Sequence, residues 1–122
     1  MRKMLLAILV VLIGMAAASS AQTPPQKPAP KLTISANKVH TPEWLHLQGT
    51  GFTPKKNATS HLLRPDGTEY PVILILADDK GAFTHDIESL LLQIGTHTVW
   101  VEDDVTKTSS NRVPFEVIHG QN

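Results

Sequence analysis

The 122-residue chain contains no cysteine. That excludes disulfides, thiolate nucleophiles and cysteine-built zinc or iron–sulfur centres. It also has no excess of either charge, because eleven Lys and Arg balance eleven Asp and Glu. Nucleic-acid binding needs a basic face that displaces counterions from phosphates, so it finds no support here. Aromatic residues make up only 5% of the chain, which makes the placement of each tryptophan informative. No apolar run reaches the roughly 20 residues of a membrane-spanning helix. The longest, Met4 to Ala18, follows Arg2 and Lys3 and precedes small residues at Ser19 and Ala21. This is the three-part pattern of a secretory signal peptide over residues 1–21, cleaved after Ala21; a retained anchor is the alternative. Cleavage would leave no membrane span.

Removing that segment takes away two basic residues and no acidic ones. The remainder carries 9 basic and 11 acidic side chains, a net charge of −2. A mildly acidic, cysteine-free exported chain suits a bacterial periplasm or exterior, since small secreted eukaryotic domains more often carry disulfides. Residues 22–31 hold Pro24, Pro25, Pro28 and Pro30. Prolines at this density forbid helix and favour an extended tether.

From Lys31 onward, short alternating runs are separated by turn residues. "KLTISAN" puts Leu32 and Ile34 on one face. "WLHLQG" opposes Leu45 and Leu47 to Trp44 and His46. "NATSHLLR" is a weaker run. "RPDGT" is a turn, and "TEYPVILIL" is a strand with a continuous apolar stretch, Val72 to Leu76. "AFTHDIE" aligns Phe83, His85 and Ile87. "THTVWVE" aligns His97, Val99 and Val101 against Trp100, and "RVPFEVI" aligns Val113, Phe115 and Val117. "ESLLLQI" has room for a single helical turn before Gly95. About seven short strands with Pro, Gly and Asp turns predict an all-β antiparallel sandwich over residues 32–118, with 119–122 as a tail.

The order "L-x-I-S", "W-L-H-L-Q-G-T-G-F-T-P", "R-P-D-G-T", "D-D-K-G-A-F", "G-T-H-T-V-W-V-E-D" and "V-P-F-E-V" resembles the bacterial immunoglobulin-like domains of secreted and surface proteins. The likeness covers Lys31 to Ile118. It implies an immunoglobulin-like fold and leaves function open, because such domains act as spacers, adhesion modules and ligand binders. His97 stands where that family usually carries a tyrosine that bonds back to nearby backbone. A buried, hydrogen-bonded histidine is therefore expected there, in preference to a ligand or pH sensor.

The remaining motifs argue against chemistry. "GTGFTPKK" (Gly49 to Lys56) has neither the spacing nor the following helix of a phosphate loop. Its glycines are expected to bend a strand end while Phe52 turns inward. The histidines at 40, 46, 61, 85, 97 and 119 form no i, i+2 or i, i+4 pair, so no metal site is assigned. The acidic turns at 78–81 and 102–104 lack the stepped ligands of a calcium loop. No nucleophile elbow or catalytic carboxylate pair is specified. The sequence therefore predicts no enzyme, no catalytic residue and no cofactor.

Two surface features carry the functional expectation. Alternation places Trp44 and Trp100 on the outside of their sheets, where tryptophan is a common interface anchor. The run "VILIL" has more apolar residues than one buried face requires. Ile73 and Ile75 in it are binding candidates, unless a loop such as "SLLLQ" covers them. The leading expectation is an exported, non-catalytic binding or adhesion module that contacts a protein or an envelope glycan. A self-associating structural subunit or spacer is the alternative, and a metal-binding accessory protein a weaker one.

Overall fold

Alternating side chains force the chain into two sheets that share one apolar layer. The computed structural model describes residues 29–120, so the expected signal segment and most of the tether lie outside the described residues. Eight strands follow in order: β1 (Lys31–Ile34), β2 (Lys38–His40), β3 (Trp44–Thr50), β4 (Asn57–Leu63), β5 (Ile73–Leu76), β6 (Phe83–Glu88), β7 (Gly95–Asp103) and β8 (Val113–Ile118). A single 3₁₀ turn, Ser89–Leu91, follows β6. One sheet has the order β1-β3-β6 and the other β2-β8-β7-β4-β5. This is an all-β, immunoglobulin-like sandwich.

The strand absent from the sequence reading is β2. It is the second half of a segment that changes sheets. β1 pairs antiparallel with β3, Leu32 opposite Gly49, and then the chain crosses over so that Val39 pairs in parallel with Val117 of β8. Three residues are too few to show a period, but the crossing closes one side of the sandwich. On the other side β5 and β6, the two edge strands, approach each other without pairing.

The core is the set of inward residues that alternation selects. Leu32, Leu45, Leu47 and Phe83 come from one sheet; Val39, Ala58, Ile75, Val99, Val101, Phe115 and Val117 come from the other. Each fully buried side chain of this size stabilises the fold by roughly 1.5–3 kcal/mol through lost apolar hydration. Phe52 plugs one end and meets Phe83 with ring centroids 5.1 Å apart and a 57° tilt. Its placement depends on the glycines of "GTGFTPKK". Gly51 adopts φ +80°, and a Cβ on Gly49 would overlap the Phe83 ring. The stretch shapes a strand end, with Lys55 and Lys56 exposed beyond it.

Candidate functional site

Each predicted surface residue occupies a distinct environment, and the structure does not gather all of them at one place. Trp44 opens β3, and its neighbour Leu45 is in the core, so its indole projects outward and is 53% exposed. Trp100 also projects from its sheet, yet it is only 8% exposed. The reason is cross-strand register. His61 of β4 lies opposite Trp100, and its imidazole stacks on the indole at 5.1 Å with a 5° interplanar angle. The Arg112 guanidinium covers the ring at 3.8 Å from its centroid. The expectation that Trp100 offers an accessible anchor is therefore corrected: its faces are already occupied by side chains of its own sheet. Such a stack of cation and aromatic rings stabilises the sheet surface.

The run Val72 to Leu76 divides by the same alternation. Ile75 is 7% exposed and belongs to the core, so it is no contact residue, contrary to expectation. Ile73 is 47% exposed, Leu74 63% and Leu76 66%. The "SLLLQ" segment does not cover them. Leu90 and Leu91 of that turn are themselves exposed, and they add to the apolar surface.

Ile73 and Trp44 meet the same feature, an open groove of about 450 Å³ between the free edges of β5 and β6. Leu62, Ile87 and Leu92 form its floor; Val72, Leu91 and Trp44 stand on its walls. At its rim lie Asp86 and Glu88. The Asp86 carboxylate is held by His46, with Nδ1 to Oδ1 at 2.6 Å on an exposed face. His85 is set between groove and core, and burial depresses its pKa below the ordinary value while the Asp86 charge pulls the other way.

The polar groups at the back of the groove are mutually satisfied. Gln93 N–H donates to the Tyr70 hydroxyl oxygen at 3.0 Å. Tyr70 O–H then donates to Nε2 of His97 at 3.0 Å, and His97 Nδ1–H donates to the Gly95 carbonyl at 3.0 Å. This chain fixes one neutral tautomer, since a carbonyl only accepts. The imidazole is stacked between the Tyr70 and Phe115 rings at 5.7 and 5.3 Å. Burial depresses its pKa, partly offset by the bond to Gly95. His97 is thus the buried, backbone-bonded residue expected from the sequence. No cluster of three or more His, Asp or Glu side chains suited to a metal occurs among the described residues. What the groove offers is apolar contact bounded by acidic side chains and flanked by strand edges that pair with no other strand among the described residues.

No protein-family model and no curated protein matches the chain. Among solved structures, it is similar to the CARDB domain of a Pyrococcus furiosus protein, crystallised in complex with di-metal ions. The identity is 13% and the TM-score 0.46, covering 80% of this chain and 99% of that one. It is similar also to part of the chitinase ChiW from Paenibacillus sp. str. FPU-7, a cell-surface-expressed multi-modular enzyme. Here the identity is 16% and the TM-score 0.45, covering 80% of this chain but only 9% of that one. Likenesses this distant carry no information about ligand, activity or partner.

Proposed function

We propose that the chain is an exported, non-catalytic immunoglobulin-like module that binds a polypeptide through the β5 edge and the groove beside it. The observation that supports this reading is the run of exposed apolar side chains along β5 together with those lining the adjoining groove. Trp44, Ile73, Leu74, Leu76 and Leu91 are each about half exposed or more, and they border two free strand edges. Solvated apolar side chains gain free energy when covered, and an unpaired strand edge supplies backbone donors and acceptors that another strand satisfies. A glycan surface would call for exposed hydrogen-bonding groups around its aromatic platform. Apart from Trp44 the exposed groove walls are aliphatic, formed by Val72, Ile73 and Leu91, and the adjoining strand edge offers backbone groups for pairing, so a polypeptide is the better fit.

The test is retention of polypeptides from an envelope extract of the source cells on the immobilised protein. Trp44→Ala and Leu91→Ala are expected to reduce retention, while Lys107→Ala, on an exposed loop, leaves it unchanged. Undiminished retention by both groove variants, or retention of polysaccharide alone, would contradict the reading.

A further inference from the structure

We propose that the polypeptide received at this edge is a second copy of the chain, paired antiparallel through β5 about a two-fold axis at Leu74. The inference rests on the reading of the β5 edge and groove as the contact surface, and names its occupant.

The backbone fixes the register. Ala77 N–H donates to the Lys56 carbonyl at 3.0 Å, continuing the pairing of Leu76 with Asn57 and of Ile75 with Ala58. Hydrogen bonding alternates along an antiparallel strand. Ile73 and Ile75 therefore direct their backbone groups to β4, as Ala77 does. Leu74 and Leu76 turn theirs toward the open edge, while Val72 precedes the strand. An antiparallel mate must bond to those even-numbered residues. The register centred on the strand pairs Leu74 with Leu74 of the second copy and sets Leu76 opposite its Val72, the residue before the strand.

The side chains are self-complementary in that register. On the outer face, Val72 meets Leu76, Leu74 meets Leu74, and Leu76 meets Val72. On the inner face, Ile73 stands opposite Ile75 of the second copy, whose side chain stays in its own core, so the side-chain contact is made mainly on the outer face. Every cross-strand pair is apolar, the arrangement that stabilises antiparallel neighbours. No charged residue lies between Glu69 and Asp78, so two copies of the strand do not repel each other. Protective devices are few: the strand is short and follows Pro71, but it carries no lysine and no inward charge. Its shortness limits the backbone ladder to three residue pairs, so apolar contact must supply most of the affinity. Val72, Leu74 and Leu76 are 50%, 63% and 66% exposed and Ile73 beside the groove 47%, so pairing removes apolar surface from water on both faces of the strand. A two-fold axis beside β5 sets the two grooves against each other, making the contact isologous.

The absence of cysteine makes the register directly testable. Paired residues of a hydrogen-bonded antiparallel site stand ~5.5 Å apart at Cα, within disulfide range. The full chain, in the processed form its cells yield, is expected to have twice the monomer mass by light scattering at tens of micromolar. Leu74→Cys should cross-link nearly completely under mild oxidation. Lys38→Cys, exposed on the opposite edge strand, should not, and Leu74→Lys should reduce the mass to that of a monomer with an unchanged β-sheet spectrum. A monomeric mass for the unmodified chain, or a dimer in which Lys38→Cys cross-links and Leu74→Cys does not, overturns the inference. The broader reading is judged separately. A monomer that still retains another polypeptide, lost on Trp44→Ala, keeps the contact surface and rejects only the second copy as occupant.

Discussion

The imidazole of His61 and the indole of Trp100 lie face to face across the β4–β7 pair, 5.1 Å apart and within 5° of parallel. With Arg112 at 3.8 Å over the same ring, this turns an outward tryptophan into part of the sheet surface. Trp44, on the other sheet, has no such cover among the described residues and is 53% exposed.

The two tryptophans should therefore behave oppositely on substitution. Trp100→Ala is expected to lower the unfolding free energy by about 2–4 kcal/mol through lost burial, stacking and cation–π contact. Trp44→Ala should stay within about 0.5 kcal/mol of the parent. Urea unfolding followed by circular dichroism measures both. Equal effects would mean that exposure does not separate their roles.

Gly49 is required by the ring above it. A Cβ there would overlap buried Phe83, which is itself packed on Phe52. Gly49→Ala is expected to cost about 1–3 kcal/mol by overpacking. Combining it with Phe83→Leu should recover part of that loss, whereas the two costs would simply add if the sites were independent. A double-mutant cycle by urea denaturation checks the coupling.

How much of this was legible in sequence depends on how local the cause is. Strand faces follow from the period of two, so the core residues Leu45, Leu47, Val99, Val101, Phe115 and Val117 could be read directly. The backbone role of "GTGFTPKK" also followed from local pattern, and the bonded state of His97 from the resemblance to immunoglobulin-like domains. The cover on Trp100 could not be read, because it depends on His61 of β4 and Arg112, just before β8, arriving beside it. Nor could the groove, which exists only because β5 and β6 end their sheets side by side. The surplus in "VILIL" was visible, but only the pairing with β4 shows that Ile75 is core while Leu74 and Leu76 are left outside. β2 was missed because three residues establish no period.

Stability should fall as the solution is acidified below about pH 6.5. Burial holds the pKa of His97, and that of His85, below the ordinary histidine value. The unfolded chain then takes up protons that the folded chain refuses, so the stabilisation present above pH ~6.5 is lost as pH falls toward the depressed folded value. Tyr70 is the titratable side chain in direct contact with His97, with Arg64 at 4.2 Å over its ring. His97→Phe should weaken the dependence of the urea midpoint on pH between 7 and 5 while costing about 1 kcal/mol for the hydrogen bonds removed. An unchanged pH dependence would place its source elsewhere.

A second acid-sensitive point lies at Asp103. Burial, the largest single influence, pushes its carboxyl pKa up. It is outweighed by the hydrogen bonds from the Thr53 hydroxyl and from the backbone N–H groups of Val105, Thr53 and Thr106, which hold the pKa below the ordinary value. The Thr53 contacts are both 2.8 Å, and that from Val105 is 2.9 Å. This stabilisation is present above pH ~3.9 and lost as pH falls through the lower folded value. Asp103→Ala leaves those donors without their acceptor and is expected to cost about 2–4 kcal/mol at neutral pH. A thermal melt within about 1 kcal/mol of the parent would contradict that assignment.

Hydrogen exchange at the amides of Leu74 and Leu76 tests the central claim most directly. Their N–H groups point away from β4, so in an isolated chain they should exchange at rates near those of an open strand edge. If β5 receives a second copy, both amides become protected at high protein concentration and lose that protection on dilution or on Leu74→Lys, while the Ile75 amide, directed to β4, stays protected throughout. Fast exchange at Leu74 and Leu76 at every concentration would contradict the account.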